Sequence, residues 1–218
     1  MRNLIYLLIV AAAAGGIWAG VRAMTAPRGV PSTDMDAIDP TRDPVQGAAD
    51  SDSTWSFAWN GGQVVATNVA SYRIDAKICG TQKYSKGSGW QAQVAPIDVC
   101  LMWGDLAVQE LRGKVEFEQD MRWTHFRTAP GSPFTPNYVM THAANTHVIA
   151  ASDNVRRAVA RLREGQVVRL DGHLVDLHGT HDGREIFWKS SRARDDDGAG
   201  ACEVFLVQGV RVGDVVYE

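Results

Sequence analysis

The sequence is poor in cysteine, carries no excess of positive charge and lacks the short motifs that fix a reaction. Its three cysteines, Cys79, Cys100 and Cys202, are too few and too widely spaced for a zinc ribbon or a disulfide-dense scaffold, and permit one bridge. Lys and Arg total 22 against 25 Asp and Glu, for a formal net charge of -3. A surface built as a whole to displace counterions from phosphates needs the opposite balance, so nucleic acid is not an expected partner, although a local basic face is compatible with these numbers. An EF-hand is also excluded: counting back from Gly198 puts Ala193 first and Val204 twelfth, and neither carries a ligand oxygen on its side chain. Nothing points to a cofactor or a resident metal.

Charge is wholly absent from Leu4 to Val21, a run of about 18 residues bounded by Arg2 and Arg22, which is the lower range for spanning a bilayer. Trp18 near its end suits an interfacial anchor. A cleavable signal peptide is the rival, but the small residues Ala12 to Ala14 fall inside the apolar run, and Arg22 puts a charge in the usual cleavage region. Residues 1–24 are therefore expected to be an uncleaved transmembrane helix. Arg2 on one side is nearly balanced by Arg22 and Arg28 on the other, so the short N-terminal tail decides the orientation: N-terminus inside, and the rest outside. The expected location is the inner membrane, single-pass, with the C-terminal domain in the periplasm.

Residues 25–54 are rich in Pro, Asp, Ser, Thr and Ala without apolar periodicity, which predicts a disordered linker. A mostly-β domain should then occupy residues 55–218. Tyr72, Ile74, Ala76 and Ile78 share one strand face, Ile97, Val99, Leu101 and Trp103 a second, and Val115, Phe117, Met121 and Trp123 a third. The one convincing helix of the domain runs from Asp153 to Glu164, with Val155, Ala158, Val159 and Leu162 at i, i+3, i+4 and i+7, Ser152 or Asp153 as N-cap and Gly165 as its stop. Afterwards Val168, Leu170 and Leu174 share one parity while Val175 and Leu177 take the other, so a bulge is expected beside Gly172. Asp182-Gly183 supplies a hairpin turn, and Val204 to Val212 holds the last strand. Strands, a helix, then further strands is the order of an OB-fold, with related small β-barrels carrying one helix as close competitors.

Several stretches carry a resemblance: Pro96-Ile97-Asp98-Val99-Cys100-Leu101-Met102-Trp103-Gly104, Arg122-Trp123, Asn145-Thr146-His147-Val148-Ile149-Ala150, Gly172-His173-Leu174-Val175, and Trp188-Lys189-Ser190-Ser191 on to Cys202-Glu203. Together they resemble a group of single-pass, membrane-anchored bacterial proteins of no known activity. The resemblance covers most of Tyr72 to Val212 and implies an anchored, β-rich character but no catalytic residues. Cys100 departs from the small or apolar residue that the group tends to have there.

Candidate chemistry is sparse. Ser190 or Ser191 with His147 and Asp195 would make a nucleophile, base and orienting acid, yet neither serine lies in a Gly-x-Ser-x-Gly elbow. His147 is more often a structural histidine, here beside Asn145. His173, His178 and His181 crowd one hairpin without the partner spacing of a recognised metal site. Arg156, Arg157, Arg161 and Arg163 lie off the helix's apolar stripe, a cationic face able to meet phosphate; the plainer reading is a solvated face. Asn145, Trp188 and Arg194 complete the candidate ligand contacts. Trp90, Trp103, Trp123 and Trp188 could stack on sugars or bases, although the parities of Trp103 and Trp123 predict core. Cys79 and Cys100 could bridge across paired strands, and Cys202 with either is equally open. The leading expectation is a membrane-anchored periplasmic binding or accessory module of the cell envelope, with a protein partner there. The alternatives are an envelope hydrolase and lipid or nucleic-acid contact through the arginine face.

Overall fold

The computed structural model describes residues 25–34, 36–49, 53–193 and 201–218; the expected transmembrane helix, Arg194 and Asp195 lie outside them. Among the described residues no helix is long and apolar enough to cross a membrane. They form a mostly-β structure. In chain order the elements are β1 (Val30–Pro31), β2 (Val45–Gly47), β3 (Thr54–Trp59), β4 (Gly62–Lys83), α1 (Gln91–Val94), β5 (Ile97–Met102), α2 (Asp105–Val108), β6 (Val115–Asp120) and β7 (Trp123–Thr128). They continue as α3 (Pro136–His142), β8 (Ala143–Ala150), α4 (Asp153–Val159), β9 (Val167–His181), β10 (Arg184–Trp188), β11 (Glu203–Val212) and β12 (Val215–Tyr217).

The pairing forms a circuit. β4 runs antiparallel to β5, β5 antiparallel to β8, β8 parallel to β11, β11 antiparallel to β9, and β9 antiparallel to β4 again. Inside this circuit lies the main core, where the alternation of Tyr72, Ile74, Ala76 and Ile78 meets Val99, Leu101, Leu170, Leu174 and Phe205. The apolar stripe of α4 closes one end: Val155, Ala158, Val159 and Leu162 are all buried, each Val or Leu contributing about 1.5–3 kcal/mol by leaving water. Ser152 Oγ accepts from Val155 N–H at 3.1 Å, as the N-cap expectation requires. The regular helix ends earlier than its periodicity predicts. After Val159 the chain tightens into i→i−3 bonds, Arg161 N–H to Ala158 O and Leu162 N–H to Val159 O, before Gly165 turns away at φ +83.

β4 and β9 are too long for one core and serve two, but the bulge expected beside Gly172 is not on β9: that strand pairs without interruption, so Leu174 and Val175 simply face opposite sides, and the extra residues are on its neighbours. Ladder register shifts between Asn68 and Ala70 on β4, and between Val207 and Gly209 on β11. Beyond the shift, Val64, Ala66, Val175 and Leu177 face a second cluster with Ile149, Val204 and Leu206, flanked by Trp55, Trp59, Trp90 and Trp188. A Cβ on Gly172 would stand 2.0 Å from Leu206 O, so the strands approach this closely only because that side chain is missing.

Two expectations need correction. β5 is buried on both faces, because the β6–β7 hairpin and α3 cover its outer side with a third cluster including Cys79, Cys100, Met102, Val115 and Phe134. Cys79 and Cys100 form a disulfide within it. Val115 to Trp123 is not one strand: the chain reverses at Met121 and Arg122, leaving Met121 77% and Trp123 39% exposed.

The segment read as a linker is, from residue 25 to residue 49, laid onto the domain apart from the undescribed residue 35. β1 pairs with β12 and β2 with β4. Asp34 and Asp75 both bind Arg169, and Arg211 donates to Asp36 O at 2.8 Å. Arg169 and Arg211 are 7% and 6% exposed, and a buried guanidinium is costly without such partners. Asp43 accepts from Trp103 Nε1 at 3.1 Å. Ordering here comes from carboxylates and backbone pairing rather than from apolar burial, so hydrophobic periodicity carries no trace of it.

Candidate functional site

A buried acid organises the most distinctive polar cluster. Asp98 lies on the outer face of β5, directly opposite His147 on β8, and its side chain is fully buried. Tyr84, in the loop after β4, donates its hydroxyl to Asp98 Oδ2 at 2.9 Å. Arg122 donates from Nη1 to Asp98 Oδ1 at 3.0 Å and from both terminal nitrogens to Ala95 O at 3.1 Å. His147 Nδ1 stands 2.9 Å from Asp98 Oδ1 without hydrogen-bond alignment.

Arg122 reaches the acid because the β6–β7 hairpin is bent around it. Met121 and Arg122 both take positive φ, +41 and +69, the backbone of a two-residue turn that ordinarily selects Asn-Gly. Holding two ordinary residues there costs on the order of 1–3 kcal/mol each, and the surroundings hold them in place. Arg122 N–H donates to Tyr84 Oη at 3.0 Å and its carbonyl accepts from Asn145 Nδ2 at 3.0 Å. Asn145 Oδ1 in turn accepts from Gln119 Nε2 and Thr124 Oγ1, both at 2.9 Å. Asn145, expected as a ligand contact, is therefore occupied as the clamp that fixes the hairpin to β8.

Burial, with the adjoining Asp98 charge, pushes the Tyr84 phenol well above its ordinary range, so it stays a neutral donor. Burial pulls Arg122 below its usual value, opposed by Asp98 and Tyr84. The guanidinium lies 4.0 Å from the Tyr84 ring centre and 5.4 Å from that of Trp188, a cation–π sandwich. The Trp188 ring is 4.5 Å from His147 and 5.8 Å from Trp90, which stacks at 6.5 Å on Trp59. An aromatic file thus runs from the tip of the β3–β4 hairpin to the buried acid.

Above this floor opens a cleft of about 570 Å³, within the usual size of small-ligand sites. Trp188, Phe187, Trp123 and Met121 supply apolar walls, and Arg122, Lys189, Gln91 and His147 supply polar groups. Phe187 is 72% exposed. Trp123 also lines a smaller apolar cavity of about 180 Å³ behind the hairpin, with Trp103, Phe117 and Phe126.

The other candidates fall elsewhere. Ser190 Oγ donates to Ser191 O and accepts from Val204 N–H, while Ser191 Oγ bonds Ala193; the carboxylate at His147 is Asp98. Trp188 does line the cleft, whereas Trp103 is core. Arg156 pairs with Asp153 at 2.9 Å, and Arg161 donates toward Thr25 O. The hairpin histidines do not converge: His173 packs on Trp55, and His181 accepts from Trp59 Nε1. Among the described residues no group of three His, Cys, Asp or Glu is placed to hold a metal. Sequence reasoning missed Asp98, Tyr84 and Arg122 as a unit. The available signal was a lone acid inside the apolar run Ile97 to Met102. Comparison with protein-family models, with curated proteins and with solved structures finds no match for this chain.

Proposed function

We propose that the chain is a membrane-anchored periplasmic binding module of the OB type, and that the aromatic cleft takes a carbohydrate strand of the cell envelope. The strand circuit supports the barrel reading. Its order, β4-β5-β8-β11-β9 with the one parallel pair between β8 and β11 and a helix between β8 and β9, is that of a five-stranded Greek-key barrel. Barrels of this class bind oligosaccharides and oligonucleotides on the second and third strands, between the loops joining strands one to two and four to five. Here those strands are β5 and β8, carrying Asp98 and His147, and those loops contribute Gln91 on one side and Phe187, Trp188 and Lys189 on the other. The anchor rests on the uncharged run Leu4 to Val21 and on the likeness to anchored bacterial proteins.

The observation that carries the ligand assignment is the pairing of the aromatic side chains Trp123, Phe187 and Trp188 with the hydrogen-bonding groups Gln91 and Lys189 on one cleft wall. A pyranose presents C–H bonds to an aromatic ring, whose face is electronegative, and hydroxyls to side chains such as Gln91 and Lys189. Titration with soluble envelope glycan fragments, followed by tryptophan fluorescence, tests it. Trp188→Ala should weaken binding about tenfold or more, the scale of one lost stacking contact of about 1–3 kcal/mol. Binding indifferent to Trp188 and Trp123, or none, rejects the assignment.

A further inference from the structure

We propose that α4 and the chain leading into the domain form a membrane-contact face that seats the domain directly on anionic lipid headgroups. This rests on the reading of residues 4–21 as lodged in the bilayer. The apolar run ends at Val21, and Thr25 is already docked: its carbonyl accepts from Arg161 Nη2 at 3.5 Å. Three residues later Asn154, on α4, clamps the backbone of Arg28 from both sides. Its Oδ1 accepts from Arg28 N–H at 2.7 Å and its Nδ2 donates to Arg28 O at 2.8 Å, while the same Nδ2 donates to Glu218 O at 2.9 Å. Four residues of extended chain reach at most about 14 Å, so the docked Thr25 cannot stand farther than that from the end of the apolar run. The domain does not hang on a leash.

What α4, the turn that follows it and the docked Arg28 bring to that position is guanidinium. Arg28, Arg156, Arg161 and Arg163 are exposed and Arg157 half-buried, its Nε without a hydrogen-bond partner. Within residues 153–164 the carboxylates are Asp153 and Glu164, Glu218 is brought alongside by Asn154, and Asp153 is already taken by Arg156. Positive charge is left over on a face held within a headgroup's reach. Guanidinium matches phosphate oxygens in pairs, and an anionic leaflet attracts each cation near its surface. The chain's net negative charge argues against a polynucleotide as the occupant of the same face.

The test uses the full chain in lipid nanodiscs containing phosphatidylglycerol with a photoactivatable headgroup, and maps the crosslinked peptides by mass spectrometry. Capture concentrated on residues 153–163 is expected. It should fall about tenfold in Arg156→Glu/Arg163→Glu, whose exposed side chains are not those that hold Thr25 or Arg28 and whose reversal leaves the core intact, and on raising salt to about 0.5 M. Asn154→Ala, which frees the leading chain but keeps every arginine, should broaden capture across the domain. A chain retained in discs whose captured peptides come from β9–β10, or whose capture ignores charge reversal, overturns this proposal alone. A chain that washes out of membranes with carbonate overturns the anchor and this proposal together. An oligonucleotide that binds α4 as tightly as anionic lipid does also refutes it.

Discussion

Replacing Asp98 by Asn keeps the side chain's shape and removes its charge, and the surroundings determine the cost. The Arg122 side chain is 15% exposed and Asp98 is fully buried. Removing one member of a dry ion pair costs about 3–5 kcal/mol, because the other is left desolvated and unpaired. The residual exposure of Arg122 and its retained bonds to Ala95 O lower the expectation to about 2–4 kcal/mol. Arg122→Met strands Asp98 instead and should lose a similar amount. The double variant leaves neither charge exposed to a dry interior, so its loss should fall short of the sum of the singles by about 2 kcal/mol. Urea unfolding read by tryptophan fluorescence, with slopes compared to confirm an unchanged folded state, measures all three. Single losses that add to within about 0.5 kcal/mol would mean that the two groups are not coupled, and the account of the cleft floor would fail.

Two further outcomes follow from the same region. The Tyr84 phenol is held above its ordinary value, so the native state keeps a proton that the unfolded chain releases. Its contribution is therefore complete below about pH 10 and declines as pH rises beyond it; Tyr84→Phe should leave the Tm profile below about pH 10 unchanged in slope and flatten its fall above that. The Cys79–Cys100 bridge closes a separation of 21 residues. Restraining that loop is worth about 3 kcal/mol, so the double Ala variant should unfold at correspondingly lower urea, and reduction of the native protein should reproduce the shift.

Legibility in the sequence followed the kind of force at work. Where burial on one face dominates, as at Tyr72 to Ile78 on β4 or Val155 to Leu162 through α4, period and parity locate the element and its inner side. The change of parity after Leu174 was readable, but the bulge inferred from it on that strand was not there: β9 pairs without interruption, and the extra residues are Val69 on β4 and Gln208 on β11. Trp123 was misplaced because parity assumes a continuous strand, and the reversal at Met121 and Arg122 uses residues that do not announce a turn. Residues 25–49 were misread because their order comes from Asp34, Asp39 and Asp43 meeting partners far along the chain. Asp98 escaped notice because its partners Tyr84, Arg122 and His147 come from three separate segments, which only the folded chain assembles.

The pairing of Val30 with Val216 joins two strands 186 positions apart in the chain. A ribosome finishes β1 long before β12 exists, so every intermediate of synthesis leaves the leading segment without its terminal partner. Such non-local closure is intrinsically slow. Until β12 is made, Val30 and Pro31 lack their strand partner, and removing Val215–Tyr217 should leave the leading segment held by Asn154, Arg169 and its pairing with β4.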